Sequence, residues 1–301
     1  MTRICSIKNL SEKSFKKKNA SCEENNPYSF LLDYIGADDK YCCYLVSALE
    51  NKSPDIYVIF QTEEDDENSK EKICGLFYYA CQMLYPWIRD MNADVQNVLE
   101  LFFEKKKIFC IIGEKNSVEI MEKVFKNADR INPDYENSYH FMECLSNSLC
   151  EKKKSFPFIE FRKCRESDES FLFELHKAFV LEEVLPPFQK LNPAAERFSM
   201  SRILRKNGIW AAFINGLPVS KANISVLTKN CAQIGGVYTM KQYRKRGISS
   251  ALIEILVKEI KKSGRKAVLF VKENNSAAIK VYLKTGFKIS GSYKSAYYKA
   301  L

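Results

Sequence analysis

The residues with the clearest chemical potential lie in the last third of the chain. There Gly235, Gly236, Val237, Tyr238 and Thr239 lead through a polar stretch to Arg244, Lys245, Arg246, Gly247, Ile248 and Ser249. The first five mix small, β-branched and aromatic residues as a buried strand does. From Ile248 an apolar stripe recurs at Ala251, Leu252, Ile255, Leu256 and Ile260, the spacing of one helix face. The stretch therefore reads strand, basic turn, helix. A glycine in a basic turn ahead of a helix leaves several N–H groups unpaired at the positive end of the helix dipole, and such a turn can hold a pyrophosphate. The same residues also fit a basic helix start on a solvated face. Further on, Asn275 and Tyr282 are seven residues apart, two helical turns, so both are expected on one face.

Other chemistries find little support. The chain has two histidines, His140 and His176, neither at ligand spacing from a cysteine pair, and no metal site is expected. Its 11 cysteines are scattered without a C-x-x-C pair, with Cys42 and Cys43 adjacent, which fits a reducing compartment and a cytoplasmic location. None sits beside a histidine as a nucleophile would, and Cys231 reads as core or strand edge. The N-terminus lacks the apolar segment of a signal peptide. The longest nearly apolar run, residues 75–88, is broken by Gln82 and falls short of the roughly 20 residues a membrane span requires, so no membrane partner is expected.

Two motifs carry a family resemblance. Arg244 to Ser249 fit Q/R-x-x-G-x-G/A except at the final position, and Asn275, Ala278, Tyr282, Gly286 and Phe287 fit N-x-x-A-x-x-x-Y-x-x-x-G-F. On these, residues 158–299 resemble the GCN5-related N-acetyltransferases, the GNAT family. The resemblance implies an α/β acyl-CoA N-acyltransferase fold around a central mixed, mostly antiparallel sheet, with acetyl-CoA as acetyl donor. It implies that Arg244, Lys245, Arg246, Gly247, Ile248 and Ser249 bind the pyrophosphate. Val237, Tyr238 and Thr239 would pair with the pantetheine arm, and Asn275 and Ala278 would lie at the cofactor. Ser249 brings a hydroxyl to one close approach, which bears on affinity. Tyr238 fits a core role equally well.

The reaction implied is direct attack of a primary amine on the thioester. Tyr282 is the candidate general acid for the leaving thiolate. With no histidine near either motif, Glu182 and Glu183 are the candidate bases, acting through water, although a solvated helix end explains them as well. Backbone N–H groups near Val237 and Tyr238 would stabilise the oxyanion. The acceptor, a small-molecule or protein amine, and the oligomeric state are not specified by the sequence.

These residues need a scaffold, and 301 residues at 46% hydrophobic and 28% charged suit two globular domains. Residues 151–301 carry 29 Lys+Arg against 12 Asp+Glu, whereas residues 1–150 carry 18 against 25. A basic half suits CoA and also nucleic acid, the less favoured partner. The expected division is a flexible leader over 1–26, an N-terminal α/β lobe over 27–150 and a GNAT domain over 156–301, with the composition shift at residues 151–155. In the lobe, helices are expected at 28–35, 38–49, 95–103 and 118–125, and strands at 56–60, 73–80 and 108–112. The acidic run 63–67 would form a loop. This order is compatible with a degenerate GNAT-like copy, or with a packing or dimerisation lobe that shapes one wall of the cleft.

In the second half the pattern predicts a strand at 158–162, helices at 171–180 and 196–204, and a hairpin whose turn is Asn215-Gly216. A strand at 232–239, the helix from Gly247, a strand at 267–271, the Tyr282 helix and terminal strands within 288–299 follow. Besides an active enzyme, an inactive CoA-binding regulatory module and a nucleic-acid binder fit parts of this pattern.

Overall fold

The computed structural model describes residues 1–10, 26–63, 70–127, 132–145, 156–206 and 208–299. Most of the expected leader, the acidic residues 64–67, the boundary residues 151–155 and Asn207 lie outside these. The chain divides into two units, Met1–Ser138 with Ser292–Leu301, and Tyr139–Gly291. The division thus falls at Tyr139 rather than at the charge-rich 151–155, and it assigns the last ten residues to the first unit.

The first unit contains β1 (Thr2–Ser6), α1 (Pro27–Ile35), α2 (Cys43–Glu50), β2 (Ile56–Glu63), β3 (Lys70–Ala80), β4 (Met83–Ile88), α3 (Ala93–Phe103), β5 (Cys110–Glu114) and α4 (Lys115–Asn127). Strands β1 to β4 pair antiparallel in sequence order, and β4 pairs parallel with β5 at Met83↔Cys110 and Leu84↔Ile111. Thr2–Ser6 corrects the expectation of a loose leader, because it pairs residue for residue with β2 and leads into Ile7, which is buried. The helical pattern at 38–49 also needs correction. It resolves into a 3-10 segment, Gly36–Cys42, followed by α2.

The chain continues with β6 (Tyr135–Cys144), β7 (Glu160–Lys163), α5 (Glu169–Phe179), α6 (Pro193–Lys206), β8 (Ile209–Ile214), β9 (Leu217–Leu227), β10 (Cys231–Thr239), α7 (Ile248–Lys262), β11 (Lys266–Lys272), α8 (Ser276–Lys284) and β12 (Phe287–Tyr297). In the second unit β7, β8, β9 and β10 pair antiparallel, β10 and β11 pair parallel, and β11 pairs antiparallel with β6 through Tyr139 to Glu143. The Asn-Gly turn forms as its residues predict, with Asn215 and Gly216 both at positive φ. Leu252, Leu256, Val257 and Ile260 of α7 bury one sheet face together with Tyr282 and Phe287. Leu172 and Phe173 of α5 and Met200 and Leu204 of α6 bury the other.

The two units repeat one order of elements: a strand, two helices, three strands, a helix, a strand and a helix. Strand β12 closes the first unit's sheet by pairing with β5 through Tyr293 to Tyr297, while β6 edges the second. The sheets are mixed and mostly antiparallel, as the motifs implied.

Candidate functional site

The site begins where β10 parts from β11. Their parallel pairing covers only Cys231, Ala232 and Gln233, after which β10 follows β9 with register shifts at Gln233/Ile234 and between Gly235 and Tyr238. Gly236 takes φ +57 within the second shift, and among the described residues neither Gly236 nor Val237 has a ladder partner. Such a break in a sheet interior leaves backbone groups outside the ladder, of which the Gly236 carbonyl is taken by Lys221 Nζ at 2.8 Å. Beside them lies a groove of about 350 Å³. It is lined by Val237, Tyr238 and Thr239 of β10, by Arg244 to Ser250 except Arg246, by Asn275, Ala277, Ala278, Val281 and Tyr282 of the α8 region, and by Glu183.

The basic turn supplies the groove's polar end. Gly247 is the N-cap of α7 at φ 85, with no side chain capping the helix. Lys245 is also at positive φ. The first-turn N–H groups of Ile248, Ser249 and Ser250 therefore face the groove end without an intrahelical acceptor. Ile248 is buried against Ala212 and Val219 and anchors the turn. Arg244 donates through Nε to the Thr239 carbonyl at 2.8 Å. Arg246 lies over the Tyr243 ring, 5.5 Å from its centroid, and does not line the groove. The corresponding helix of the first unit is closed to an anion: Asn92 caps α3 by accepting from Val95 N–H at 3.0 Å, and Asp94 adds negative charge in the first turn.

Asn275 is an N-cap as well as a groove residue. Its Oδ1 accepts from Ala278 N–H at 3.1 Å, so it starts α8 rather than sitting within it two turns before Tyr282. Tyr282 is 6% exposed, with its ring edge-on to Phe287. Burial, with Glu183 adding, raises its phenol above the ordinary value, so the hydroxyl keeps its proton at neutral pH.

The two adjacent carboxylates part. They belong to a π-helical turn, Val180–Val184, that continues α5. Glu183 lines the groove. Glu182 turns to the basic turn: it accepts from Tyr238 OH at 2.7 Å and from Arg244 Nη2 at 2.9 Å, and it pairs with Lys241 at 3.4 Å. Burial alone would raise its carboxyl, but the bonds from Arg244 and Tyr238 hold it below the usual range. A carboxylate so satisfied is a poor base, and its visible work is to tie α5 to the turn. The Tyr238 ring is buried, as a core role requires, and its hydroxyl joins this clasp at the groove wall.

A buried polar cluster lies on the α5–α6 side of the sheet. Lys221 of β9 is fully buried, donates to the Gly236 carbonyl at 2.8 Å, and lies 4.8 Å from the centroid of the Phe179 ring. His176 of α5, also buried, meets Glu196 at 3.2 Å. Burial lowers the imidazole's affinity for a proton, against the pull of Glu196. Lys221 did not stand out in the sequence, because Lys221, Asn223 and Ser225 alternate with apolar residues as a solvated strand face would. Cys231 is buried in the core. Among the described residues no group of three or more His, Cys, Asp or Glu could hold a metal, no disulfide forms, and no helix is long and apolar enough to cross a membrane.

With this geometry in hand, similarities to known proteins gain meaning. No curated protein matches the chain. A GNAT-family acetyltransferase from Colwellia psychrerythraea is similar in structure at 11% identity and a TM-score of 0.51, over 89% of this chain and 97% of its own. A Drosophila protein of solved structure reaches a TM-score of 0.59 at 12% identity, over 92% of this chain and 97% of its own. Both matches run through the two units, so the N-terminal unit shares this fold. A putative GNAT acetyltransferase from Novosphingobium aromaticivorans is 19% identical over 55% of this chain with a TM-score of 0.42, and the chain spans 65% of its length. Some structures matched over about half of this chain were solved with acetyl-CoA. Residues 171–287, which hold the whole groove, match the model of the acetyltransferase (GNAT) family.

Proposed function

We propose that the protein transfers the acetyl group of acetyl-CoA to a primary amine by direct attack, without a covalent enzyme intermediate. The observation that carries this reading is the convergence of three features on one groove: the uncapped basic start of α7, the unpaired segment of β10 and the buried Tyr282. The uncapped N–H groups of α7, with Lys245, suit a pyrophosphate, and Val237 to Thr239 offer backbone groups to an amide-bearing arm. Acetyl-CoA supplies an activated thioester.

Glu183 accepts a proton from the acceptor amine through a water. The free amine forms a C–N bond with the carbonyl carbon, Val237 N–H stabilises the developing oxyanion, and the second proton lost from the attacking nitrogen passes to water. As the C–S bond breaks, Tyr282 gives its proton to the thiolate and is reprotonated from solvent. Removing the Tyr282 hydroxyl should lower kcat roughly 10²-fold while KM for acetyl-CoA stays within about threefold, because the ring still fills its place. Steady-state thiol release by Tyr282→Phe checks this, and a full rate in that variant would remove the acid from the scheme.

A further inference from the structure

Lys221 is an anomaly in an otherwise economical core. It is 0% exposed, and among the described residues no carboxylate pairs with it. Burying an amine this way is costly. Its Nζ donates to the carbonyl of Gly236, the residue at positive φ in the β10 irregularity. The fit beneath that residue is close. A Cβ at Gly236 would lie 1.9 Å from Asn223 Oδ1 and 2.8 Å from Lys221 Nζ, and one at Gly235 would lie 2.1 Å from Ser225 Oγ. Two residues further along β10, the Tyr238 carbonyl accepts from Ser220 Oγ at 3.1 Å. The irregular segment therefore rests on a polar floor built from β9.

The Gly236 carbonyl and the Val237 N–H belong to one planar trans peptide and point in opposite directions. The carbonyl points toward Lys221, on the side where Phe179 of α5 packs, while Val237 lines the groove. We infer that Lys221 is a positioning residue: by holding the Gly236 oxygen from behind the sheet it aims and polarises the Val237 N–H toward the reacting carbonyl. This inference rests on the acetyl-transfer reading above. It gives the buried amine a function that stability does not explain, as local conflicts often mark working sites.

The groups facing Lys221 are the Phe179 ring and His176 of α5, the Cys164 thiol that follows β7, the Asn223 amide of β9 and the Gly236 carbonyl of β10. Burial lowers the amine to about 7, and Cys164 opposes this weakly. An unfolded lysine keeps its proton to higher pH, so the unfolded chain binds the extra proton between about 7 and the ordinary lysine value. Stability is then penalised in full below about 7 and recovers as pH rises through that window.

Two variants and one spectroscopic signal test the assignment. Lys221→Met should raise Tm at pH 7, with the gain shrinking by pH 10, yet lower kcat roughly tenfold or more at nearly unchanged KM for acetyl-CoA. Lys221→Gln keeps a donor without a charge and should recover part of that rate. In selectively 15N-valine-labelled protein, the Val237 amide signal should titrate near pH 7 in the wild type and not in Lys221→Gln. That signal needs no turnover, so it decides the positioning role even if no acceptor is acetylated. A Lys221→Met enzyme with full kcat, or a Val237 amide indifferent to pH through this range, would overturn the inference.

Discussion

At the scale of single residues, the motif positions were readable because spacing along one helix or turn fixes who can meet. Gly247, Ser249, Asn275, Ala278 and Tyr282 all line one groove. The roles of Glu182 and Glu183 were not separable, because adjacent residues on a helical turn diverge by roughly a quarter turn and only the tertiary fold decides which faces the ligand. Here Arg244, Tyr238 and Lys241 claim Glu182, and Glu183 is left to the groove. We expect Glu183→Gln to lower kcat by roughly tenfold to 10²-fold, as loss of a general base does. Glu182→Gln should keep kcat within about threefold, its main effect being a looser basic turn, since partly exposed ion pairs contribute about 1 kcal/mol or less. A kcat–pH profile for each variant checks the split. Lys221 was illegible for a different reason: an alternating strand face reads as solvated whenever the helices that cover it are not yet placed.

At the scale of elements, glycines and caps marked α7, α8 and the β8–β9 hairpin, and those came out as their residues dictate. Strands β4 and β6 carried weaker signals. The turn before β4 uses Cys81 and Gln82 at positive φ, residues without the Asn-Gly signature, so the apolar run into β4 had no visible punctuation. The start of β6 is polar, with Glu136, Asn137 and Ser138 on its way to Phe141 and Met142 in the core. Among the elements, the proposed pyrophosphate site rests on the uncapped start of α7. Gly247 holds φ 85, a conformation that costs a residue with a Cβ about 1 kcal/mol. Gly247→Ala should therefore weaken acetyl-CoA binding roughly tenfold by tilting the first-turn N–H groups, with only a small fall in Tm. Isothermal titration of the variant against wild type measures it.

At the scale of the whole molecule, one order of elements occurs twice, and the groove proposed to hold acetyl-CoA lies in the second copy. The charge asymmetry anticipated this. The first half is acidic overall and its α3 is capped by Asn92, whereas the second half is basic and leaves α7 uncapped. What composition could not reveal is the assignment of strands. Unit membership follows long-range pairing, with β6 serving the second sheet and the end of β12 the first, and no local signal encodes that. The central claim is acetyl transfer at the groove of the second unit, and thiol release from acetyl-CoA by the intact chain, measured across a panel of primary amines, peptides and proteins, tests it most directly. The account predicts release above the acceptor-free rate with at least one amine, matched by N-acetylated product in equal amount. No release with any acceptor, together with no rise in Tm on adding CoA, would contradict it.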